Sequence, residues 1–396
     1  MVIGARLAQW RAVTFIALTG LAINELRVTV GGAGKFILVH PGFSDFASYY
    51  VYARVGLHQG WNHLYDLAAQ QQEWLRLGGP DAIPWFAMLY PPPLAWLVAP
   101  FALLPLPAAL ACWTALLIGL TLLGWRLVAT PGPPLARWTA LAAMLAAFPI
   151  VYGIMLGQVV IVELAALALV WWFLSRGREL PAGMVLVAMV FKPHLAILVP
   201  VVLLLIGRWR TVAVAGLGFA LVVAISVVTT GVDGLHDYLS RLADPVAVAQ
   251  QFGANQFTIS GVMGRGVATL VASGLVIVIT MAIAWRYRER GVAIPFSCAL
   301  IGSMVIAPYL HWQDLGTFLL AGGIALHGFL DRWSGGILLL GYAILLATFY
   351  WGPAILGPLL PVAGIAFLLS VVVRSFSRGQ PRVTEMRDQI RLEPAA

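Results

Sequence analysis

Charge is what this sequence has least of. Only 10% of its 396 residues are charged, against about 25% in ordinary soluble domains, and Lys35 and Lys192 are its only lysines. Cysteine is nearly as scarce: Cys112 and Cys298 both lie inside apolar segments, which excludes a disulfide framework and a cysteine-based metal site. There is no His-Glu-x-x-His, no Gly-rich loop ahead of a Lys-Ser or Lys-Thr pair, and no Asp-x-Asp. Metal-dependent and nucleotide hydrolysis therefore find no support, and neither a metal nor a cofactor is expected. Net charge is +8, but the arginines cluster between apolar runs and no stretch alternates bases with aromatics, so no nucleic-acid partner is expected.

What is there is hydrocarbon. The chain is 61% hydrophobic with a mean hydropathy of +0.90, the composition of an integral membrane protein. A transmembrane helix needs about 20 mostly apolar residues. The runs predict an all-α polytopic bundle of about 12 transmembrane helices, forming one domain over 1–373 with a polar tail at 374–396. Arg6 and Arg11 precede an apolar run at 12–23 without a convincing cleavage site, which reads as a retained first span.

Two polar loops interrupt the pattern, at 31–88 and 231–264. In the first, Asp66 stands ready to cap a short amphipathic helix lying on the membrane surface. Tyr90-Pro91-Pro92-Pro93 then pins a helix entrance. Further spans are predicted at 107–128, 138–152, 159–174, 180–206, 212–229, 267–285, 292–308, 315–330, 335–350 and 353–373. Counted singly, the middle runs put Arg176 and Arg178 on the outer face, against the positive-inside rule. A broken hairpin over 180–206, turning at Lys192-Pro193, removes that conflict. The later arginines, Arg286, Arg288, Arg290, Arg332, Arg374, Arg378 and Arg382, fall on one side, assigned to the cytoplasm.

Six groups are polar in apolar settings: Asp45, Gln158, Lys192 with His194, Asn255-Gln256, Arg265, and His311 with Asp314. A carboxylate between Phe43 and Phe46 is costly unless it is solvated, paired or used. Tyr49, Tyr50 and Trp61 belong at a membrane interface on physical grounds alone. Lys192 needs a partner, either a phosphate or Glu163, which is itself stranded in an apolar run. Gln158 suits either an interhelical bond or a site. The amides of Asn255 and Gln256 can read a sugar, and Arg265 either snorkels or pairs a phosphate. Asp314, three residues after His311, is close enough to orient its imidazole.

The order Asp45-Phe46, Tyr49-Tyr50, Gly60, Leu64-Tyr65, then Tyr90-Pro91-Pro92, Leu104-Pro105, Gly157-Gln158, Lys192-Pro193, Arg208-Trp209-Arg210, Asn255-Gln256 and Arg265 resembles glycosyltransferase family 87. The chain departs from that pattern with Phe257 after Asn255-Gln256 and Val160 after Gly157-Gln158-Val159. The resemblance implies a GT-C fold and an inverting hexosyltransferase of the bacterial inner membrane, such as a mannosyltransferase. It implies a polyprenyl-phosphate-linked sugar donor, a glycolipid or glycan acceptor, and a site facing the extracytoplasmic side. By it Asp45 is the general base, Lys192, Arg265 and His311 lie near the donor phosphate, and Tyr49, Tyr90, Gln158, His194, Asn255 and Gln256 line the pocket. A transporter or flippase for a lipid-linked sugar is the alternative, and the lack of a convincing internal repeat argues against it.

Overall fold

Inside a bilayer every backbone polar group must be satisfied within the protein, and helices satisfy theirs locally. The computed structural model describes residues 2–78, 89–129, 132–244, 257–328 and 330–377, and every regular element among them is helical.

Helix α1 (Val2–Thr29) runs through a π-helical turn, Val30–Gly34, directly into α2 (Lys35–Val39). The polar loop expected to open at Gly31 therefore begins only at His40, because the wider turn absorbs Gly31, Gly32 and Gly34 without breaking the rod. Ser44 caps α3 (Asp45–His58), its hydroxyl accepting from the Ala47 amide at 3.2 Å. The amphipathic helix of the first loop is α4 (Leu67–Gly78), with Asp66 accepting from the Ala68 amide at 2.8 Å as its cap. It docks on α3 through Glu73, which is fully buried and bonded to Arg54 at 3.0 Å and Arg76 at 2.5 Å. Burial works to raise the Glu73 pKa, but the Arg54 and His58 bonds outweigh it and hold the carboxyl below its ordinary value.

After α5 (Pro93–Val98) come α6 (Leu106–Val128), α7 (Pro134–Ala146) and α8 (Phe148–Leu156), the last two meeting at a 62° bend, and then α9 (Val160–Leu174). The stretch 180–206 is not a span. Helix α10 (Glu179–Leu186) gives way to 3-10 turns at Val187–Val190 and Pro193–Leu195, and α11 (Val199–Leu205) follows. Glu179 meets Arg208 at 3.3 Å, and its carbonyl accepts from the Thr211 hydroxyl at 3.2 Å, so both ends of the hairpin lie together. Arg176, Arg178 and Arg208 thus share one end, and Lys192 sits at the opposite tip.

Helix α12 (Trp209–Ala243) kinks at Gly231, so the second polar loop begins as helix rather than coil. Then come α13 (Ile259–Met263), α14 (Val267–Tyr287), α15 (Ala293–Ile306), α16 (Gly316–Ala325), α17 (Arg332–Trp351), α18 (Pro353–Leu356) and α19 (Leu359–Ser377). Among the described residues six helices are long and apolar enough to cross a membrane, or seven with the bent α7–α8 pair, against the dozen expected. The difference has a physical reason. Helices α9, α10, α15 and α16 are apolar but short; fifteen residues of α9 span only about 22 Å of a hydrocarbon core about 30 Å thick.

One glycine joins the first loop to the bundle. Gly157 ends α8 with φ of 73°, and a Cβ there would lie 2.6 Å from Phe46 Cβ and 3.3 Å from the Trp113 ring. The Trp113 indole donates to the Gly157 carbonyl at 2.8 Å and stacks on Phe46 with centroids 5.4 Å apart. Gly157→Ala should therefore lower thermal stability in detergent by about 1–3 kcal/mol. Gly177→Ala, at φ 69° with nothing within 4 Å of the added carbon, should cost less; equal losses would mean that strain alone, and not the contact with α3, is responsible.

Candidate functional site

The first half of the site is built on α3. Asp45 lies in its first turn, half-buried, where Gln158 Nε2 donates to its carboxylate. Gln158 is held in turn by its backbone amide, which donates to the Gly153 carbonyl at 2.8 Å, and by the Tyr49 hydroxyl, which donates to its Oε1 at 3.1 Å. The Tyr90 hydroxyl lies 3.4 Å from that of Tyr49, and Tyr65 donates to the Tyr90 carbonyl at 2.9 Å. Asp45, Tyr49, Tyr90 and Gln158 therefore form one connected set.

The second half is a buried ion pair. Lys192, at the hairpin tip, places its Nζ 2.6 Å from Asp314 Oδ1, and both side chains are almost wholly buried. The other carboxylate oxygen of Asp314 accepts from the His311 amide at 2.8 Å and lies 3.7 Å from the imidazole Nδ1. Sequence reasoning placed Asp314 beside His311 but missed it as the partner of Lys192. Their separation of 122 residues left no local signal. Glu163, the partner weighed for Lys192, is instead fully buried with neither carboxylate oxygen in a hydrogen bond. The His194 ring packs on Tyr309 at 4.5 Å, and Tyr309 on His311 at 5.6 Å.

The two halves feel each other. Burial raises the Asp45 pKa above the ordinary carboxylate value, and the Gln158 bond and the Lys192 charge offset part of the rise. Asp45 is thus more basic than a solvated aspartate but remains anchored in one orientation, as a proton acceptor requires. Among the described residues no cluster of three or more His, Cys, Asp or Glu is placed to hold a metal ion.

Beside Lys192 opens a cavity of about 420 Å³. Its polar wall includes Tyr90, His194 and Tyr309, and its other wall is the face of α12 carrying Phe219, Val223 and Val227. Phe219, Val223 and Val227 are also exposed on the helix surface, so the cavity lies between the hairpin tip and hydrocarbon.

The remaining residues singled out from sequence stand apart. Arg265 is exposed between Gly264 and Gly266, and among the described residues no carboxylate pairs with it. Asn255 and Gln256 lie outside the described residues. Phe257, which departs from the family pattern, is buried and packs its ring on Trp312 at 5.6 Å, next to the Asp314 turn.

No curated protein and no solved structure matches the chain. The sequence model for glycosyltransferase family 87 matches residues 88–310, a stretch that contains Tyr90, Gln158, Lys192 and His194 and stops just short of His311 and Asp314. That match spans more than half of the chain, which, with its array of apolar helices, belongs to glycosyltransferase family 87 and is a multi-pass membrane glycosyltransferase.

Proposed function

We propose that the protein transfers a sugar from a polyprenyl-phosphate-linked donor to a hydroxyl of a cell-envelope glycolipid or glycan. The single observation that carries this reading is the placement of an oriented carboxylate, Asp45, within electrostatic reach of the buried Lys192–Asp314 pair.

A sugar phosphoester already holds a good leaving group. The protein must take a proton from the acceptor and steady the charge that grows on the departing phosphate. Asp45 accepts the acceptor's hydroxyl proton, the oxygen attacks the anomeric carbon, and the bond from that carbon to the phosphate oxygen breaks. Direct displacement inverts the anomeric centre. Lys192 carries three N–H donors, and its bond to Asp314 leaves others to meet phosphate oxygens. His311 lies on the same turn, and the donor's polyprenyl tail fits the cavity between the hairpin and α12. With the arginine-rich helix ends at the cytoplasmic face, Asp45 would face the extracytoplasmic side, in keeping with an enzyme of a bacterial inner membrane.

Asp45→Asn keeps shape and hydrogen bonding while removing the base. Transfer of radiolabelled sugar from polyprenyl-phosphate donors should fall about 10²–10⁴-fold with donor binding retained; unchanged transfer overturns the role. The pH profile follows from the raised Asp45 pKa. Because the base works deprotonated, the rate should fall as pH drops through that raised value. Gln158→Leu removes a bond that favours the charged form, so the acid limb should move to higher pH; a limb that stays put sinks the assignment. Lys192→Met strands a buried carboxylate and should cost about 3–5 kcal/mol of stability. Pairing it with Asp314→Leu should restore much of the melting temperature without restoring transfer.

A further inference from the structure

A second cavity, of about 560 Å³, lies elsewhere in the bundle, with Lys192 outside its lining. It runs between α6, α7, α9, α16, α17 and α19, with Gly124, Trp125, Ala143, Leu164, Gly322 and Tyr342 among its walls. The polar groups in those walls are already satisfied: Tyr342 donates to the Ala143 carbonyl at 2.8 Å, Thr121 to the Leu117 carbonyl at 2.8 Å, and the Trp125 indole to the Arg137 carbonyl at 3.0 Å. Water entering it finds no partners. Cβ atoms added at Gly322 or Gly335 meet nothing within 4 Å, so the space is open rather than tightly closed.

The far end of this space has a cation and a pair of indoles. Arg137 is half-buried on α7, one turn before the lining residue Ala140 and two turns before the lining residue Met144, on the helix face they share. Among the described residues it makes no ion pair. Trp125 and Trp138 pack beside it with ring centroids 5.5 Å apart. Basic groups and indoles at the rim of an intramembrane apolar space suit an anionic headgroup above buried chains.

We infer that this cavity binds the acyl chains of an anionic glycerophospholipid, with its phosphate against Arg137. The donor's own phosphate does not fit this role, since the Arg137 end lies at the end of α6 remote from Asp45 and Lys192. The other end reaches Ile161 and Gly316, close in sequence to Gln158 and Asp314, so a bound lipid braces the two helices that carry the site.

The test uses the full chain in nanodiscs containing phosphatidylglycerol or phosphatidylcholine with brominated chains. The quenching of Trp125, read as the difference from Trp125→Phe, reports occupancy. Quenching should be stronger with phosphatidylglycerol, by roughly fivefold in apparent affinity for one arginine contact, and Arg137→Gln should abolish that preference. Gly322→Leu, which fills the space, should remove the quenching with both lipids. Equal quenching by the two lipids, insensitivity to Gly322→Leu, or displacement of the brominated lipid by polyprenyl phosphate each overturns the proposal. Native mass spectrometry of the unsubstituted protein gives a check independent of the variants: one retained phosphatidylglycerol supports it, and none overturns it.

Discussion

The structure depends on keeping one lysine charged in a setting of hydrocarbon. A cation at membrane depth costs several kcal/mol unless it is compensated, and the compensation here is Asp314, 2.6 Å from Lys192. Bringing the two together shapes much of the bundle. The apolar stretch 180–206 cannot be a continuous helix and also present Lys192 at its tip, so it folds back on itself through 3-10 turns, with its ends joined by Glu179 and Arg208. Asp314 likewise sits in a 3-10 turn, Trp312–Leu315, whose His311 cap it closes with its own carboxylate.

The other half of the site obeys a different constraint, that of close packing. Asp45 has no ion-pair partner of its own among the described contacts; it is oriented by an amide. That amide is in place because Gly157 lets the chain turn in the left-handed region against Phe46 and Trp113. A buried glutamate, Glu73, fastens the surface helix α4 to α3 and so steadies the helix that carries Asp45. The Lys192 half is built from electrostatics and the Asp45 half from backbone geometry, and they meet where Asp45 feels the charge of Lys192.

Short helices give the site its depth. Helix α9 begins just after Gln158, and α15 ends just before the turn bearing His311 and Asp314. Helices that stop short of a full crossing leave room for polar groups below the membrane surface, where irregular backbone is tolerated because it lines a cavity. Helix α12 spans its full length but touches the hairpin only in part, and the gap becomes the space beside Lys192. The proposed lipid-linked donor would suit this arrangement, its tail staying in hydrocarbon while its phosphate meets the cation.

Much of this was legible in the sequence. Composition alone determined an all-helical membrane protein, because a chain so short of charge and rich in apolar runs has no other stable solvent. Isolated polar residues singled out Asp45, Gln158, Lys192 and His311, which the fold brings into two hydrogen-bonded groups, and Asp66 announced the surface helix, because caps and stranded charges are local signals. Hydropathy could not tell spans from half-helices: the run 180–206 is apolar whether it crosses or turns back, and Gly31 and Gly231 read as loop openings although helix continues past both. Which partner Lys192 takes was likewise undecidable from the chain, with Glu163 nearer in sequence than Asp314. Only the tertiary structure decided it, because the pairing of charges in a low-dielectric interior is settled by three-dimensional distance, and separation along the chain carries no information about that.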